Sequence, residues 1–252
     1  MPRVLVGIAT YNEIENLPLL VEQIRRYLPD ADLFVIDDNS PDGTGAWCER
    51  RASQDPSFHC LVRAGKLGLG TAAWGTFEFA MRNDYDWLVN LDADLSHDPK
   101  YLPQFMALAD RAADSAGPSP VNSDPVDVVV GSRYAPGGSI VGWPRYRRLM
   151  SGLINRFARW MLRLPCSDCS GSYRCYRVAL LRRLDPQLVV SRGYSFYEEI
   201  LWHLKRLGAG FAELPIVFTD RRFGESKINA REAWNAARIL ARLAVREWLG
   251  GC

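Results

Sequence analysis

The sequence predicts an α/β fold, a mixed, mainly parallel sheet with helices on both of its faces. Three observations predict it. Short apolar runs alternate with stretches of helical period through the first half of the chain. Acidic and turn-forming residues follow the apolar runs directly, as they do where strands end at a ligand crevice. The chain has 252 residues, 48% hydrophobic and 24% charged, enough to bury a core without covalent staples.

The elements follow in order. Residues 4–9 (VLVGIA) form a buried strand, and Leu17, Leu20, Val21, Ile24 and Leu28 then mark one face of a helix. Residues 33–36 form the next strand, ended by Asp37, Asp38 and the turn chemistry of Ser40-Pro41-Asp42-Gly43. A helix over 45–54, a strand over 60–62, a helix over 71–81 and a strand over 87–91 continue the alternation, which requires parallel crossovers. Residues 114–125 are small, polar and proline-rich and read as a surface loop, because a strand resumes over 126–130. The second half carries helices over 146–164, 197–207 and 230–248 and a strand over 211–218. The reading is one catalytic domain over 1–228, including a basic amphipathic segment at 143–164, followed by an amphipathic helix over 229–252.

Several classes are disfavoured at this level. No apolar run reaches the ~18 residues of a membrane span, and the start, MPRVLVGIATYNE, lacks the order of a cleaved signal. The chain therefore reads as cytoplasmic. Cys166-x-x-Cys169 and Cys175 suggest a zinc knuckle, but such a site takes four ligands and the three histidines lie far off in sequence, so the six cysteines read as reduced thiols. Gly68-x-Gly70-x-x-Ala73 fits a dinucleotide pattern, yet it does not follow the first strand; no P-loop sequence is present.

Asp92-Ala93-Asp94 stands where a buried strand emerges. Alternation along an extended chain points both carboxylates to one side, where they suit a hard divalent cation completed by substrate phosphates. Asp37 and Asp38 end a second strand and Tyr11 and Glu13 follow a third, so three strand ends converge on one crevice.

The ordered motifs ATYNE (9–13), VIDDNSPDGT (35–44), KLGLGTA (66–72), DADLSH (92–97), GSRY (131–134), SGSYR (170–174), GYSF (193–196) and RRFGESK (221–227) resemble the family-two glycosyltransferases of the A-type fold, among them the dolichyl- and polyprenyl-phosphate mannosyltransferases. The resemblance spans residues 4–227. It implies inverting transfer of mannose from GDP-mannose to a polyprenyl or dolichyl monophosphate with Mg²⁺ or Mn²⁺. By position it implies that Ala9, Tyr11, Glu13, Ile36, Asp38, Leu91 and Ala93 line the nucleotide sugar, that Asp92 and Asp94 hold the metal, and that Ser96 stands where some members offer Gln to it. It further implies that Arg133, Arg221 and Lys227 face the phosphates of acceptor and donor. The chemistry agrees, since a phosphate monoester is already a nucleophile near neutral pH and needs charge neutralisation more than a base. The same fold using glucose or another sugar from a UDP donor, and a non-catalytic nucleotide- or lipid-binding scaffold, remain open alternatives.

The net charge of +2 hides an asymmetry. Of 31 basic residues 27 are Arg, and ten of these lie between 145 and 183 against one acid, Asp168. Trp143, Tyr146, Leu149, Met150, Leu153, Ile154, Phe157, Trp160, Met161 and Leu164 interleave with them. A basic amphipathic helix of this kind lies in a membrane interface, and the helix ending at Trp248 is a weaker second candidate. The alternative is a helix packed on the core with a solvated basic face. No nucleic-acid recognition signature accompanies the arginines. The expectation is a peripheral enzyme on the cytoplasmic face of a membrane. Some relatives continue into spanning helices, so a membrane-anchoring partner subunit is a further possibility.

Overall fold

The computed structural model describes residues 2–114, 126–193, 195–220 and 230–250. The first half is β1 (Val4–Thr10), α1 (Leu17–Tyr27), β2 (Asp32–Asp37), α2 (Thr44–Gln54), β3 (Phe58–Val62), α3 (Leu69–Arg82), β4 (Trp87–Asp92) and α4 (Leu102–Asp114). The second half is β5 (Val126–Ser132), β6 (Ser139–Val141), α5 (Arg145–Leu162), β7 (Arg174–Arg177), α6 (Val178–Leu181), α7 (Phe196–Arg206), β8 (Gly210–Pro215), β9 (Val217–Thr219) and α8 (Ala230–Trp248).

The main sheet has the order β3-β2-β1-β4-β7-β5-β8. Only β7 runs against its neighbours β4 and β5. The chain steps from β1 outward through β2 and β3, then returns to place β4 on the other side of β1. That reversal opens a crevice at the carboxyl ends of β1 and β4. Because β1 is covered on both faces, it reads as an unbroken apolar run rather than an alternating one. Its residues enter two cores: Leu5 joins Phe34, Ile36 and Phe77 on one face, while Val4, Val6 and Ile8 join Leu17, Ile24 and Phe105 on the other.

Two expected elements differ. The strand read over 211–218 is two strands, β8 in the main sheet and β9 paired with β6, with the break at Ile216, whose N–H turns to the Ser132 carbonyl (3.0 Å). The loop read over 114–125 begins one residue late, since Asp114 closes α4, and residues 115–125 lie outside the described residues. α4 and β7 had no counterpart among the sequence-based elements. In β7 (RCYR) the inward residue Arg174 is fully buried, a pattern that reads as polar surface until its carbonyl partners are known.

The Gly-x-Gly-x-x-Ala stretch opens α3 behind β3, away from the first strand-helix unit. Gly68 has φ +98, and a Cβ on Gly70 would sit 2.8 Å from the Arg192 carbonyl carbon and 3.0 Å from Phe196 Cβ. The Gly70 N–H donates to the Arg192 carbonyl at 3.0 Å. These glycines therefore let the 190–193 segment close on α3. Gly70→Ala should lower stability by ~1–3 kcal/mol through overpacking, measured by denaturant unfolding.

Candidate active site

The parallel register sets the first row of the crevice. Ala9 on β1 lies opposite Ile36 on β2 and Asp92 on β4, so three candidate positions from three strands stand side by side. Ile36 is 1% exposed, and Leu91 and Ala93 are each 3% exposed within the core. Their side chains pack inward, so their contribution to a ligand is limited to backbone.

The nucleotide side is built around β1 and β2. Tyr11 lies under Lys66, whose Nζ is 4.3 Å from the ring centroid. Glu13 accepts from Asn16 Nδ2 (2.8 Å), and its N–H donates to Thr44 Oγ1 (3.0 Å). Asp38 is buried, ion-paired with Arg63, and accepts from the Gly68 N–H at 3.3 Å. Its neighbour Asp37 has a different task. It accepts from Thr10 Oγ1 (2.8 Å) and from the N–H and hydroxyl of Ser40 (2.8 and 2.6 Å), tying together the ends of β1 and β2.

Asp92 and Asp94 line one cavity of about 220 Å³ with His97, Arg133, Trp143, Arg147, Ser172, Glu198, Phe218 and Asp220. The expected convergence occurs by another route than strand alternation. β4 ends at Asp92, the chain turns, and Leu95 adopts φ +61. Ser172 Oγ donates to Asp92 Oδ1 at 2.6 Å, and the Ser96 N–H and hydroxyl donate to Asp94 Oδ1 at 3.1 and 2.5 Å. Ser96 is 1% exposed and does not border the cavity. Its contact is therefore with Asp94, and the geometry gives it the part of orienting that carboxylate where the sequence suggested a metal contact. The Asp92 N–H donates to His97 Nδ1 (3.1 Å), and burial pushes the imidazole below its ordinary value of 6.5 despite the nearby Asp92 and Asp94 carboxylates. His97 thus sits neutral beneath the acidic pair.

Two carboxylates offering oxygens to one cavity fit a hard divalent ion that takes its remaining ligands from water and substrate phosphate. Among the described residues no group of three or more His, Cys, Asp or Glu is arranged to hold a metal without such help. The five described cysteines are free thiols, with Cys166 and Cys169 buried in the core.

Arg133 follows β5 and borders the cavity, but it does not stand alone. Its Nε and Nη2 donate to the two oxygens of Asp168 (2.7 and 2.8 Å), its own N–H donates to the same carboxylate (3.0 Å), and Nη2 reaches Ser170 Oγ (3.0 Å). Asp168 is fully buried. Burial alone would raise its carboxyl, yet the Arg133 charge and hydrogen bonds hold it below the usual range. Nη1 of Arg133 donates to none of the described residues. Arg221 and Lys227 lie outside the described residues.

The sequence reading missed Asp168, Ser172, His97, Glu198 and Arg147 as site residues. Asp168 carried a signal, the single acid in a block of ten arginines. Arg147 stacks on Trp143 (4.0 Å to the ring centroid) and lies 3.5 Å from Asp220, so α5 sends a cation to the cavity mouth. Glu198, in the first turn of α7, is 6% exposed, and burial pushes its carboxyl up to about 7.

Residues 5–185 match the family described as Glycosyl transferase family 2. An undecaprenyl-phosphate mannosyltransferase of Micrococcus luteus is 41% identical over 227 residues, 90% of this chain and 88% of that protein. A polyprenol monophosphomannose synthase of Mycolicibacterium smegmatis is 39% identical over 235 residues, 92% of this chain and 84% of that protein. In shape the chain is similar to glucosyl-3-phosphoglycerate synthase of Mycobacterium tuberculosis, solved with Mn²⁺, UDP and glucosyl-3-phosphoglycerate, at a TM-score of 0.63 and 17% identity, covering 98% of this chain and 80% of that one. That likeness gives the A-type glycosyltransferase fold.

Removing the Asp168 charge leaves Arg133 buried without its counter-ion. Asp168→Asn should cost ~3–5 kcal/mol of stability, read as a drop in denaturant midpoint at unchanged slope.

Proposed function

The chain belongs to glycosyl transferase family 2, and from that premise we propose that it transfers mannose from GDP-mannose to a polyprenyl monophosphate, with inversion and with release of GDP. The observation that carries this reading is one cavity lined by the carboxylates of Asp92 and Asp94 and by Arg133 and Arg147, in a chain 41% and 39% identical to two polyprenyl-phosphate mannose-transferring proteins. Such a cavity suits a reaction in which two phosphorylated partners of like charge must meet over a neutral sugar.

Asp92 and Asp94 would hold Mg²⁺ or Mn²⁺, which neutralises the charge developing on the leaving diphosphate. Ser172 and Ser96 keep those two carboxylates aimed. Tyr11, Glu13 and Asp38, with the Ala9 and Ile36 strand ends, would receive the nucleoside. On the acceptor side Arg133 offers its Nη1 N–H groups while Asp168 holds the plane of the guanidinium, and Arg147 adds a second cation at the mouth. Arg221 and Lys227 would supplement these charges. The acceptor phosphate attacks the sugar carbon on the face opposite the leaving diphosphate, which inverts that centre and needs no strong base.

The acceptor is a lipid, and the outer face of α5 suits one. Only Asn155, Ala158 and Leu162 of α5 are buried. Tyr146, Leu149, Leu153, Phe157 and Trp160 are exposed, at 72, 65, 53, 56 and 63%. The outward apolar stripe supports a docking face over a core-packed helix with a solvated basic face. α8 continues the surface through Trp248, whose ring lies 5.9 Å from that of Trp160. Among the described residues no helix is long and apolar enough to cross a membrane. An arginine-flanked apolar surface supports peripheral docking on the anionic, cytoplasmic leaflet, each nearby cation contributing ~1 kcal/mol, with or without an anchoring partner subunit.

Purified protein given GDP-mannose, Mg²⁺ or Mn²⁺ and a polyprenyl phosphate should form a lipid-extractable mannose product, in preference to one from UDP-glucose in the same vessel. Asp94→Asn should lower that rate at least about a hundredfold, since a metal site supplies several kcal/mol of transition-state stabilisation; equal rates would remove the metal role. In sedimentation with phosphatidylglycerol-containing vesicles, the double variant Leu153→Glu, Trp160→Glu should bind at least about tenfold more weakly than wild type, with its melting temperature unchanged.

A further inference from the structure

Every other described acid that borders the cavity is engaged by a neighbour. Asp92 is held by Ser172, Asp94 by Ser96, and Asp220 by Trp143 and Arg147. Glu199, next to Glu198 in the chain, accepts from the N–H groups of Val190 (3.0 Å) and Ser191 (2.7 Å) and so fastens the segment before α7. Glu198 has no such hydrogen bond among the described residues, and the charges that act on it are the Arg174 and Arg133 guanidiniums and the Asp168 carboxylate. It borders the cavity and is 6% exposed, and its Oε2 has no hydrogen-bond partner among the described residues. A buried carboxylate oxygen without a donor is costly, and a native fold that keeps one at a binding cavity needs something to satisfy it.

Burial pushes this carboxyl up to about 7, so both its forms are present near neutral pH, and the ionised form calls for a donor. Phosphate oxygens of either substrate are unsuitable because they carry the same charge, and the metal-side carboxylates already stand at Asp92 and Asp94. A neutral hexose held between the diphosphate and the acceptor presents hydroxyl groups, which form short charge-assisted bonds to carboxylates. The first turn of α7 favours an acid at this position through the helix dipole, which offsets part of the cost of ionising Glu198 in a buried place.

We propose that Glu198 accepts a hydrogen bond from a hydroxyl group of the transferred hexose, and that it is a specificity-determining residue for the donor sugar. This rests on the reading of the cavity as a nucleotide-sugar site. A site built around a buried acceptor rejects a sugar that lacks the matching hydroxyl, because the carboxylate is then left unpaired.

The experiment is a cycle between protein and donor. Affinities of the full chain, as wild type, Glu198→Gln and Glu198→Ala, are measured for GDP, GDP-mannose and the monodeoxy GDP-mannose analogues, with Mg²⁺ present. GDP affinity should stay within about twofold across the three proteins, while GDP-mannose binding and KM weaken about tenfold in Glu198→Ala and less in Glu198→Gln, which keeps an acceptor oxygen. One monodeoxy analogue should bind wild type about tenfold more weakly than GDP-mannose and lose that penalty in Glu198→Ala. The proposal is overturned if no deoxy position loses its penalty, if GDP and GDP-mannose weaken alike, or if kcat falls with donor affinity unchanged, which would make Glu198 a proton acceptor. Should Glu198→Ala fail to fold, Glu198→Gln supports the same cycle. If wild type binds no nucleotide sugar at all, the reading of the cavity fails; if it binds a sugar other than mannose, the cycle is run with that donor's deoxy series.

Discussion

The rest of the site depends on the pairing of two buried charges, Arg133 and Asp168. Asp168 belongs to the segment between α5 and β7, and Arg133 to the end of β5, so their bidentate contact joins two parts of the chain that are 35 residues apart. Around it lie Glu213 of β8, which accepts from the N–H and hydroxyl of Ser167 (2.8 and 2.7 Å), and Asn155 of α5, which accepts from the Cys169 N–H (2.8 Å). A buried charge is tolerated only when it is paired and its remaining hydrogen-bonding groups are occupied. Meeting that condition places Ser170 on Arg133 and Ser172 on Asp92, so the acidic and basic sides of the cavity are positioned by one segment.

The same constraint explains how α5 serves two environments. Its inner contact is narrow and partly polar, with Asn155 gripping the segment that carries Asp168. Its outer face is broad and apolar. The first turns of the helix carry Arg147 and Ser151 to the cavity, so the exposed surface and the mouth of the cavity share one rigid element. α8 is fixed alongside by Trp248 Nε1 donating to the Met161 carbonyl (2.9 Å) and by Glu247, which accepts from Lys205 (2.7 Å) and Trp202 (2.9 Å).

Much of the sheet was legible because buried parallel strands leave an unmistakable trace. VLVGIAT, DLFVID and WLVNLD are short and apolar, the last two end in an acid, and α1 between the first two shows a clean three- and four-residue recurrence. β7 was not legible, because the Nη groups of Arg174 donate to the carbonyls of Tyr197 and Cys169, which come within its reach only once the chain has closed. Periodicity likewise marked the apolar stripe of α5 but not its direction. The same spacing of apolar residues arises whether the stripe meets a core or lies open, and only the packed neighbours distinguish the two.

The sequence by itself determined the fold class, the strand ends where chemistry gathers, the acidic pair at Asp92 and Asp94, and the family to which the chain belongs, because each of these is written in local pattern or in motif order. The tertiary structure alone decided which charges are spent on one another. The sequence pointed Arg133 toward substrate phosphates and Asp38 toward the nucleotide, and the fold sets Asp168 and Arg63 against them. Pairing energy depends on distance and burial, and neither is a property of a residue's place in the chain.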